Sequence, residues 1–431
     1  MEAQYDFENI PVVDIVNDTI LVAIDKGASD IHFDPFGEDL KIRMRVDGEL
    51  TDYALIPNSI KKNLITRIKI ISGMNITESR TPQDGAIKKD MNSTDLDFRV
   101  ASLPVQKGEK IVIRILDYSM SNAGLENLGF SEYNMPLIKK MIAAPNGIVL
   151  ITGATGTGKS TTVYSLLAHL NNNERNIITV EDPVEMKIVG INQVQVIADI
   201  GLTFGNTLRS ILRNDPDIIM IGEIRDSETA RIAVRASITG HLVLSTLHTN
   251  NSLNTIERLL DMDVERYLLG SALSGIISQR LVKKLCPYCR GTRETNDYEK
   301  EVFTKALGLD VKNISTPVGC PKCFKGYSGR TAIQEVLIIN EAIRDAIVGN
   351  VKKSDLRRLV YDKKSMVTIL QDGLNKVVSG LTSFEEIIRI IDLDEDFGSD
   401  DDEIKIAIKG RKKPKKEQDV ELPKVVKIDD Q

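Results

Sequence analysis

Short apolar segments alternate with polar ones along most of the chain, and their spacing changes near residue 146. Before that point, KIRMRVDGEL, DFRVASLP and KIVIRIL alternate apolar and polar residues, as half-buried strands do. SIKKNLITRIKIISG has helical spacing and ends in a glycine. The pattern therefore predicts a small α+β domain over residues 1–117, followed by a linker and a helix over 118–145.

Nearly unbroken apolar runs replace this alternation beyond residue 146. GIVLITG, NIITVED, PDIIMIGE and HLVLSTLH are such runs, with helical segments between them, and each fits a strand buried on both faces of a parallel sheet. Ligands of these sheets bind beyond the carboxyl ends of the strands, where Thr152, Glu181, Asp182, Glu223 and His248 would meet. Residues 146–392 are therefore predicted to form an α/β domain. Within it, the segment ALSGIISQR, residues 272–280, has the pattern of an amphipathic helix.

The apolar periodicity ends near Asp392. An acidic run, DLDEDFGSDDDE, is followed by the basic GRKKPKKEQ, and neither contains enough apolar residues to form a core. We expect a disordered charged tail over residues 393–431. It could act as a solvated tether or as a segment that docks on a partner.

Charge and composition narrow the class of protein. The 431 residues carry a net charge of −6, contain no tryptophan and are only 5% aromatic, which disfavours recognition of nucleic acid through charge and base stacking. No apolar run approaches the roughly 20 residues that span a bilayer, and MEAQYDFENI lacks the features of a secretory signal. The sequence predicts a cytoplasmic protein.

The segment GATGTGKS matches the phosphate-binding pattern GxxxxGK[ST] and lies between an apolar run and a helical segment. Its backbone N–H groups would point at phosphate oxygens, Lys159 would add a cation near the β and γ phosphates, and Ser160 would offer a hydroxyl to Mg²⁺. We predict binding of ATP with Mg²⁺. The predicted nucleotide-binding residues are Gly153, Ala154, Thr155, Gly156, Thr157, Gly158, Lys159, Ser160 and Thr161.

Acidic residues at the other strand ends could support hydrolysis. Glu223 ends one apolar run and could either hold the water shell of Mg²⁺ or polarise the attacking water. TVEDPVE supplies Glu181, Asp182 and Glu185 around a proline. The alternative for each acid is a helix cap or a surface charge.

Two of the four histidines, His241 and His248, flank the run LVLSTL, where an imidazole could reach a γ phosphate or a carboxylate. His32 and His169 fit structural roles better.

All four cysteines of the chain occur in two CxxC pairs. Cys286, Cys289, Cys320 and Cys323 supply the four thiolates that a tetrahedral Zn²⁺ takes, and a site with four cysteine ligands keeps no open position for catalysis. We therefore predict a structural zinc insert over residues 285–326. A redox dithiol and unliganded thiols are the alternatives.

Several motifs together resemble one family. GATGTGKSTT, TVEDPVE, IGEIRD and TGHLVLSTLHTN, in this order, are similar to the motifs of the secretion ATPases that drive type II secretion and type IV pilus assembly. GASDIHF, RMRVDGEL, SRTPQDG and DFRVASLP extend the resemblance upstream, and QRLVKKLCPYC and GYSGRTAIQEVL extend it downstream. It covers about residues 10 to 392.

The resemblance implies a homo-hexamer whose subunits bind ATP between a small N-terminal domain and a RecA-like P-loop domain. It also implies that Arg99 and Arg114 of the small domain complete the site, although both could instead form surface ion pairs. For the general base it favours Glu185, with Glu181 close behind, and Glu223 would organise Mg²⁺ through water.

By the same resemblance the chain would be a cytoplasmic ATPase that moves an inner-membrane platform protein and so inserts pilin-like subunits. The tetracysteine insert is typical of assembly and secretion motors and not of retraction motors. Two departures are the absence of a large N-terminal docking domain before GASDIHF and Ala86 in place of the arginine of PQDGR. A nucleic-acid-translocating motor, favoured only by KKPKK, and a nucleotide-gated scaffold without turnover are the competing hypotheses.

Overall fold

The computed structural model describes residues 10–91, 94–116, 124–362 and 366–391. The predicted charged tail lies outside the described residues. Within the described part of the chain, no helix combines the length and apolar character needed to cross a membrane.

Residues 12–116 form the N-terminal domain, in which two helices pack on one face of an antiparallel sheet. Alternation along the strands explains this arrangement: Ile31 and Phe33 are buried against the helices, whereas His32 and Asp34 lie on the opposite, polar face. The strand order is β3-β2-β1-β6-β5-β4, and the strands and helix predicted here are confirmed. The elements are α1 (Val12–Asp25), β1 (Ala28–Phe36), β2 (Asp39–Val46), β3 (Glu49–Ile56), α2 (Asn58–Ile71), β4 (Gln83–Met91), β5 (Thr94–Val105) and β6 (Gly108–Leu116).

Residues 134–391 form the C-terminal domain around a seven-stranded sheet of order β15-β12-β7-β11-β10-β8-β9. Its central strands are parallel and buried on both faces, as their apolar runs predict. The strands are β7 (Gly147–Thr152), β8 (Ile177–Glu181), β9 (Asn192–Gln195), β10 (Ile218–Ile221), β11 (Leu242–Leu247), β12 (Leu273–Leu285), β13 (Gly291–Glu294), β14 (Asn313–Thr316) and β15 (Tyr327–Ile338).

Helices cover both faces of this sheet and form the carboxyl-terminal part of the domain. They are α3 (Asn134–Ile142), α4 (Lys159–Leu170), α5 (Phe204–Ile211), α6 (Ser227–Ile238), α7 (Ser252–Asp261), α8 (Arg266–Ala272), α9 (Asp297–Leu307), α10 (Glu341–Val348), α11 (Lys353–Val360), α12 (Ile369–Val378) and α13 (Phe384–Ile390). The sheet brings the carboxyl ends of β7, β8, β10 and β11 to one edge.

The expected amphipathic helix over residues 272–280 is wrong, because these residues open strand β12. The strand pairs in parallel with β7 and antiparallel with β15, so it is central in the sheet. Ile276 and Ile277 point to opposite faces and are both fully buried. An amphipathic helix in this place would leave one of these faces in water.

Residues 286–326, here called the cysteine module, connect β12 to β15. The module contains the two-stranded sheet of β13 and β14 and the helix α9. Asn296 and Glu299 form a capping box that fixes the start of α9. Phe303 of α9 packs in a core shared with α12 and α13, so the module is joined to the domain by apolar contacts as well as by its two strands.

Candidate functional site

The phosphate-binding segment connects the carboxyl end of β7 to the first turn of α4. Glycine is required at Gly153, where φ is +150° and a Cβ would lie 2.6 Å from the carbonyl oxygen of Gln279. Lys159 is 9% exposed, and its Nζ donates to the carbonyl oxygens of Gly153 and Ala154 at 2.9 and 3.0 Å. Burial lowers the pKa of Lys159, while the nearby carboxylates of Glu223 and Glu185 act in the opposite direction. The loop thus has the shape and charge of a phosphate cradle.

Gln279 of β12 holds this loop in place, a role that the sequence pattern did not predict. Its Nε2 donates to the carbonyl oxygen of Thr157 at 2.8 Å, and its Oε1 accepts from the hydroxyl of Thr162 at 2.9 Å. The side chain is 1% exposed. A buried polar residue in a central strand is the signal that could have identified it, once 272–280 is recognised as a strand.

Glu223 follows β10 and lies where strands β8, β10 and β11 end. One of its oxygens accepts from Arg225, and the other lies 3.2 Å from Nε2 of His248. Arg225 also lies 3.6 Å from the carboxylate of Asp182. The structure therefore brings together three of the predicted strand-end groups, Asp182, Glu223 and His248, and it adds Arg225, which the sequence analysis had not singled out.

Glu181 and Glu185 have different surroundings although both belong to TVEDPVE. The carboxylate of Glu181 is buried and accepts from the hydroxyls of Tyr164 and Thr179 and from Nε2 of Gln193. Burial, together with the Glu181 charge, raises the pKa of Tyr164. The side chain of Glu185 is 43% exposed. Glu181 is thus built into the protein, whereas Glu185 faces the space between the two domains.

The N-terminal domain reaches this edge through Arg99 of β5. Its Nη2 donates to the carbonyl oxygen of Val184 at 3.3 Å, and its Nη1 lies 4.0 Å from Oε1 of Glu185. Arg114 is the cross-strand neighbour of Arg99, and its Nε donates to Asp30 at 2.9 Å. Asp84, Arg99, Arg114 and Pro183 line a cavity of about 490 Å³ between the domains.

The structure does not bring His241 to this edge of the sheet. It precedes β11, whose first residue, Leu242, pairs with Gly147 at the start of β7. The phosphate-binding loop follows the other end of β7, roughly 17 Å away at about 3.3 Å per residue. Nδ1 of His241 instead lies 2.9 Å from the carbonyl oxygen of Ala236.

The four cysteines converge in the cysteine module, and none of them forms a disulfide. Their Sγ atoms all lie within 4.8 Å of one another, with Cys286–Cys320 at 3.9 Å, Cys289–Cys323 at 3.6 Å and Cys320–Cys323 at 3.7 Å. Sulfurs at about 2.3 Å from a tetrahedral ion are about 3.8 Å apart. The N–H of Gly319 points at Sγ of Cys289 at 3.3 Å. The donor set and spacing fit Zn²⁺.

Comparison with known proteins identifies the family. Residues 6–389 match the family model described as "Type II/IV secretion system protein". The chain belongs to this family. The predicted resemblance to the secretion ATPases is thereby confirmed, and the chain is an ATP-hydrolysing enzyme of this family.

Curated relatives are similar in sequence to this chain over most of its length. The type II secretion system protein E of Dickeya dadantii is 44% identical over 384 residues, which are 89% of this chain and 76% of the relative. The type II secretion system ATPase E of Vibrio cholerae is 42% identical over the same number of residues and the same shares of the two chains. These relatives support functions in ATP binding and protein secretion.

Solved structures confirm the α/β P-loop fold. The pilus retraction motor PilT with bound ADP has a TM-score of 0.59 and 27% identity, and the match covers 86% of this chain and 95% of PilT. The ATPase DotB of Legionella pneumophila has a TM-score of 0.64 at 23% identity, over 86% of this chain and 94% of DotB. At this low identity, the similarity to DotB supports the fold alone.

Proposed function

We propose that the chain is a cytoplasmic, hexameric motor that hydrolyses ATP between its two domains and moves a membrane platform protein that assembles pilin-like subunits. The observation that carries the proposal is the position of Arg99, which extends from the N-terminal domain to Val184 and Glu185 beside the phosphate-binding loop. A nucleotide in that loop would be in contact with both domains. Its hydrolysis would therefore change their relative position, which is the mechanical output.

The residues on this edge can support attack of water on the γ phosphorus. A bond forms from the water oxygen to phosphorus while the bond to the bridging oxygen breaks, so that ADP and phosphate are released. We propose Glu185 as the group that accepts the water proton, because the oxygens of Glu181 are already used by Tyr164, Thr179 and Gln193. Lys159 and Arg99 stabilise the charge that develops on the phosphoryl oxygens.

The donor set at the loop also fits Mg²⁺, which prefers oxygen ligands. The hydroxyl of Ser160 and the carboxylate of Glu223 would hold the ion, the latter through water. When bound, Mg²⁺ neutralises charge on the β and γ phosphates. His248 and Arg225 fix the direction of the Glu223 carboxylate through the two contacts described above.

We propose that Cys286, Cys289, Cys320 and Cys323 bind one Zn²⁺ with a structural role, since four thiolates fill a tetrahedral site. The type II secretion relatives and the tetracysteine cluster favour assembly or secretion over retraction.

The function is tested by measuring ATP turnover with vesicles that contain the platform protein, with empty vesicles, and with duplex DNA. We expect platform vesicles to raise the rate several-fold, because a motor works fastest when its load partner completes the cycle. Empty vesicles and DNA should leave the rate unchanged. Salt-sensitive stimulation by DNA, without stimulation by the platform protein, would replace this proposal with the nucleic-acid motor.

A further inference from the structure

A second contact joins the two domains, away from the phosphate-binding loop. Asp47, in the turn between β2 and β3, and Glu49, the first residue of β3, contact the ends of β12 and β15 that flank the cysteine module. The carboxylate of Glu49 pairs with the ammonium of Lys283 and lies 3.5 Å from Nζ of Lys325. Oδ2 of Asp47 accepts from the N–H of Gly329 at 3.1 Å. We call this contact the clasp.

The lysine of the Glu49–Lys283 pair is largely shielded from water, whereas the Glu49 side chain is 32% exposed. The side chain of Lys283 is only 9% exposed, and its Nζ lies 5.0 Å from the ring centroid of Tyr327. The Lys283 ammonium lowers the pKa of Glu49 below its usual value. Removal of Glu49 would leave the Lys283 ammonium poorly solvated, so the pair should resist separation more than a fully exposed one.

On the side of the C-terminal domain, the clasp is rigidly connected to the nucleotide site. Lys283 lies on β12 four residues after Gln279, which bonds Thr157 of the phosphate-binding loop. The two residues are about 13 Å apart along one strand. This strand pairs with β7 as far as Ser278, and it pairs with β15 along the whole segment from Gln279 to Lys283. The backbone hydrogen bonds to β15 limit bending between the clasp and the phosphate-binding loop.

On the side of the N-terminal domain, the clasp and Arg99 occupy opposite parts of one sheet. Glu49 starts β3 and Arg99 lies on β5, and the strand order β3-β2-β1-β6-β5 separates them by four strand spacings. At about 4.8 Å per spacing the two contact points are roughly 19 Å apart. One contact would leave the sheet free to rotate over the nucleotide site, whereas two separated contacts restrict that rotation to the line that joins them.

We propose that Glu49 and Lys283 are positioning residues for the ATPase reaction: their pair fixes the N-terminal domain over the C-terminal domain and so holds Arg99 at the phosphate site. The proposal rests on the proposed function of Arg99. The proposal also assigns a role to the cysteine module. The module connects the end of β12, near Lys283, to the start of β15, near Gly329, and both of these strand ends are contacted by the N-terminal domain. The relative position of the two domains then depends on whether the cysteine module is folded.

The test compares Glu49→Lys, Lys283→Glu and the double charge swap in the full chain. Asp52→Lys is the matched control, since it makes the same charge change three residues along β3 and breaks only the Lys41–Asp52 pair inside the N-terminal domain. Each protein is measured for kcat and KM with MgATP. Amide hydrogen exchange of the segment 327–331 is measured as well, because it reports the Asp47–Gly329 bond directly.

We expect each single variant to lower kcat about tenfold, less than the roughly 100-fold that a 1 Å misplacement of a catalytic group can cost, because the contact of Arg99 with Val184 and Glu185 is kept. KM should change much less, because the phosphate-binding loop is intact. Exchange at 327–331 should accelerate in both single variants, and the charge swap should restore both readouts. The control should match the wild type in both.

Either of two outcomes would overturn the proposal. Unchanged exchange in Glu49→Lys would show that the clasp does not hold the domains together. Faster exchange with an unchanged kcat would show that the contact exists but positions nothing. The hydrogen-exchange measurement does not depend on the role of Arg99. A failure of the proposed function would therefore be seen in a different experiment, in which an Arg99 variant keeps full activity.

Discussion

Lys159→Ala is expected to lower the rate of ATP hydrolysis at least about 100-fold while the protein stays folded. Loss of a buried donor that stabilises transition-state charge typically costs about 10²–10³ in kcat. The folded state should persist, because truncation of Lys159 removes a mostly buried cation, and the desolvation cost of that charge offsets the loss of its two hydrogen bonds to loop carbonyl oxygens. Phosphate release with saturating MgATP gives the rate, and circular dichroism gives the Tm.

Lys139→Ala is the matched control for this prediction. Lys139 lies on α3, and its side chain pairs with Glu126 at 3.8 Å on the surface, so its loss should change neither the rate nor the Tm. Undiminished hydrolysis by a folded Lys159→Ala protein would show that the phosphate-binding loop is not the site of turnover.

Cys286→Ser should release the zinc and unfold the cysteine module. The thiol of Cys286 is fully buried at the end of β12, and the binding free energy of a structural zinc is also folding free energy. We expect about one zinc per subunit in the wild type by elemental analysis. The variant should contain much less zinc, and its Tm should be lower by about 10 °C, at roughly 2–4 °C per kcal/mol for a domain of this size.

The matched control is Ser328→Ala, an exposed position just after the module on β15. It should keep its zinc and its Tm. A chelator should reproduce the effect of Cys286→Ser on the wild type. A metal-free wild-type protein with an unchanged Tm would instead support free or redox-active thiols.

The sequence predicted the central strands well, because strands buried on both faces leave unbroken apolar runs. Strand β12 was mistaken for a helix since Gly275, Ser278 and Gln279 interrupt its apolar residues. The polar residues of this strand form hydrogen bonds: Ser278 with Thr152, and Gln279 with the phosphate-binding loop. A strand that supports a site carries polar residues at core positions, and the hydrophobic pattern alone does not reveal this.

The sequence motifs supplied the candidate residues of the site, but they could not supply the arrangement of those residues. Spacing could not separate Glu181 from Glu185, because the distinction depends on Tyr164, which comes from a different element. His241 and His248 looked equivalent around one strand, yet a strand has two ends and only the end at His248 is on the side of the phosphate-binding loop. The Glu49–Lys283 pair joins residues 234 positions apart, beyond the reach of any local pattern.

The central claim is that the N-terminal domain completes the ATPase site, and the kcat of Arg99→Ala tests it most directly. Lys107→Ala is the control, because Lys107 is an exposed cation of the same domain and pairs with Glu38 on the surface. If the claim is right, Arg99→Ala lowers kcat about 100-fold or more, as loss of an arginine that stabilises phosphoryl transfer does, while a fluorescent ATP analogue still binds and the control keeps full activity. A wild-type kcat in the folded Arg99→Ala protein would contradict the account, because hydrolysis would then proceed in the C-terminal domain alone.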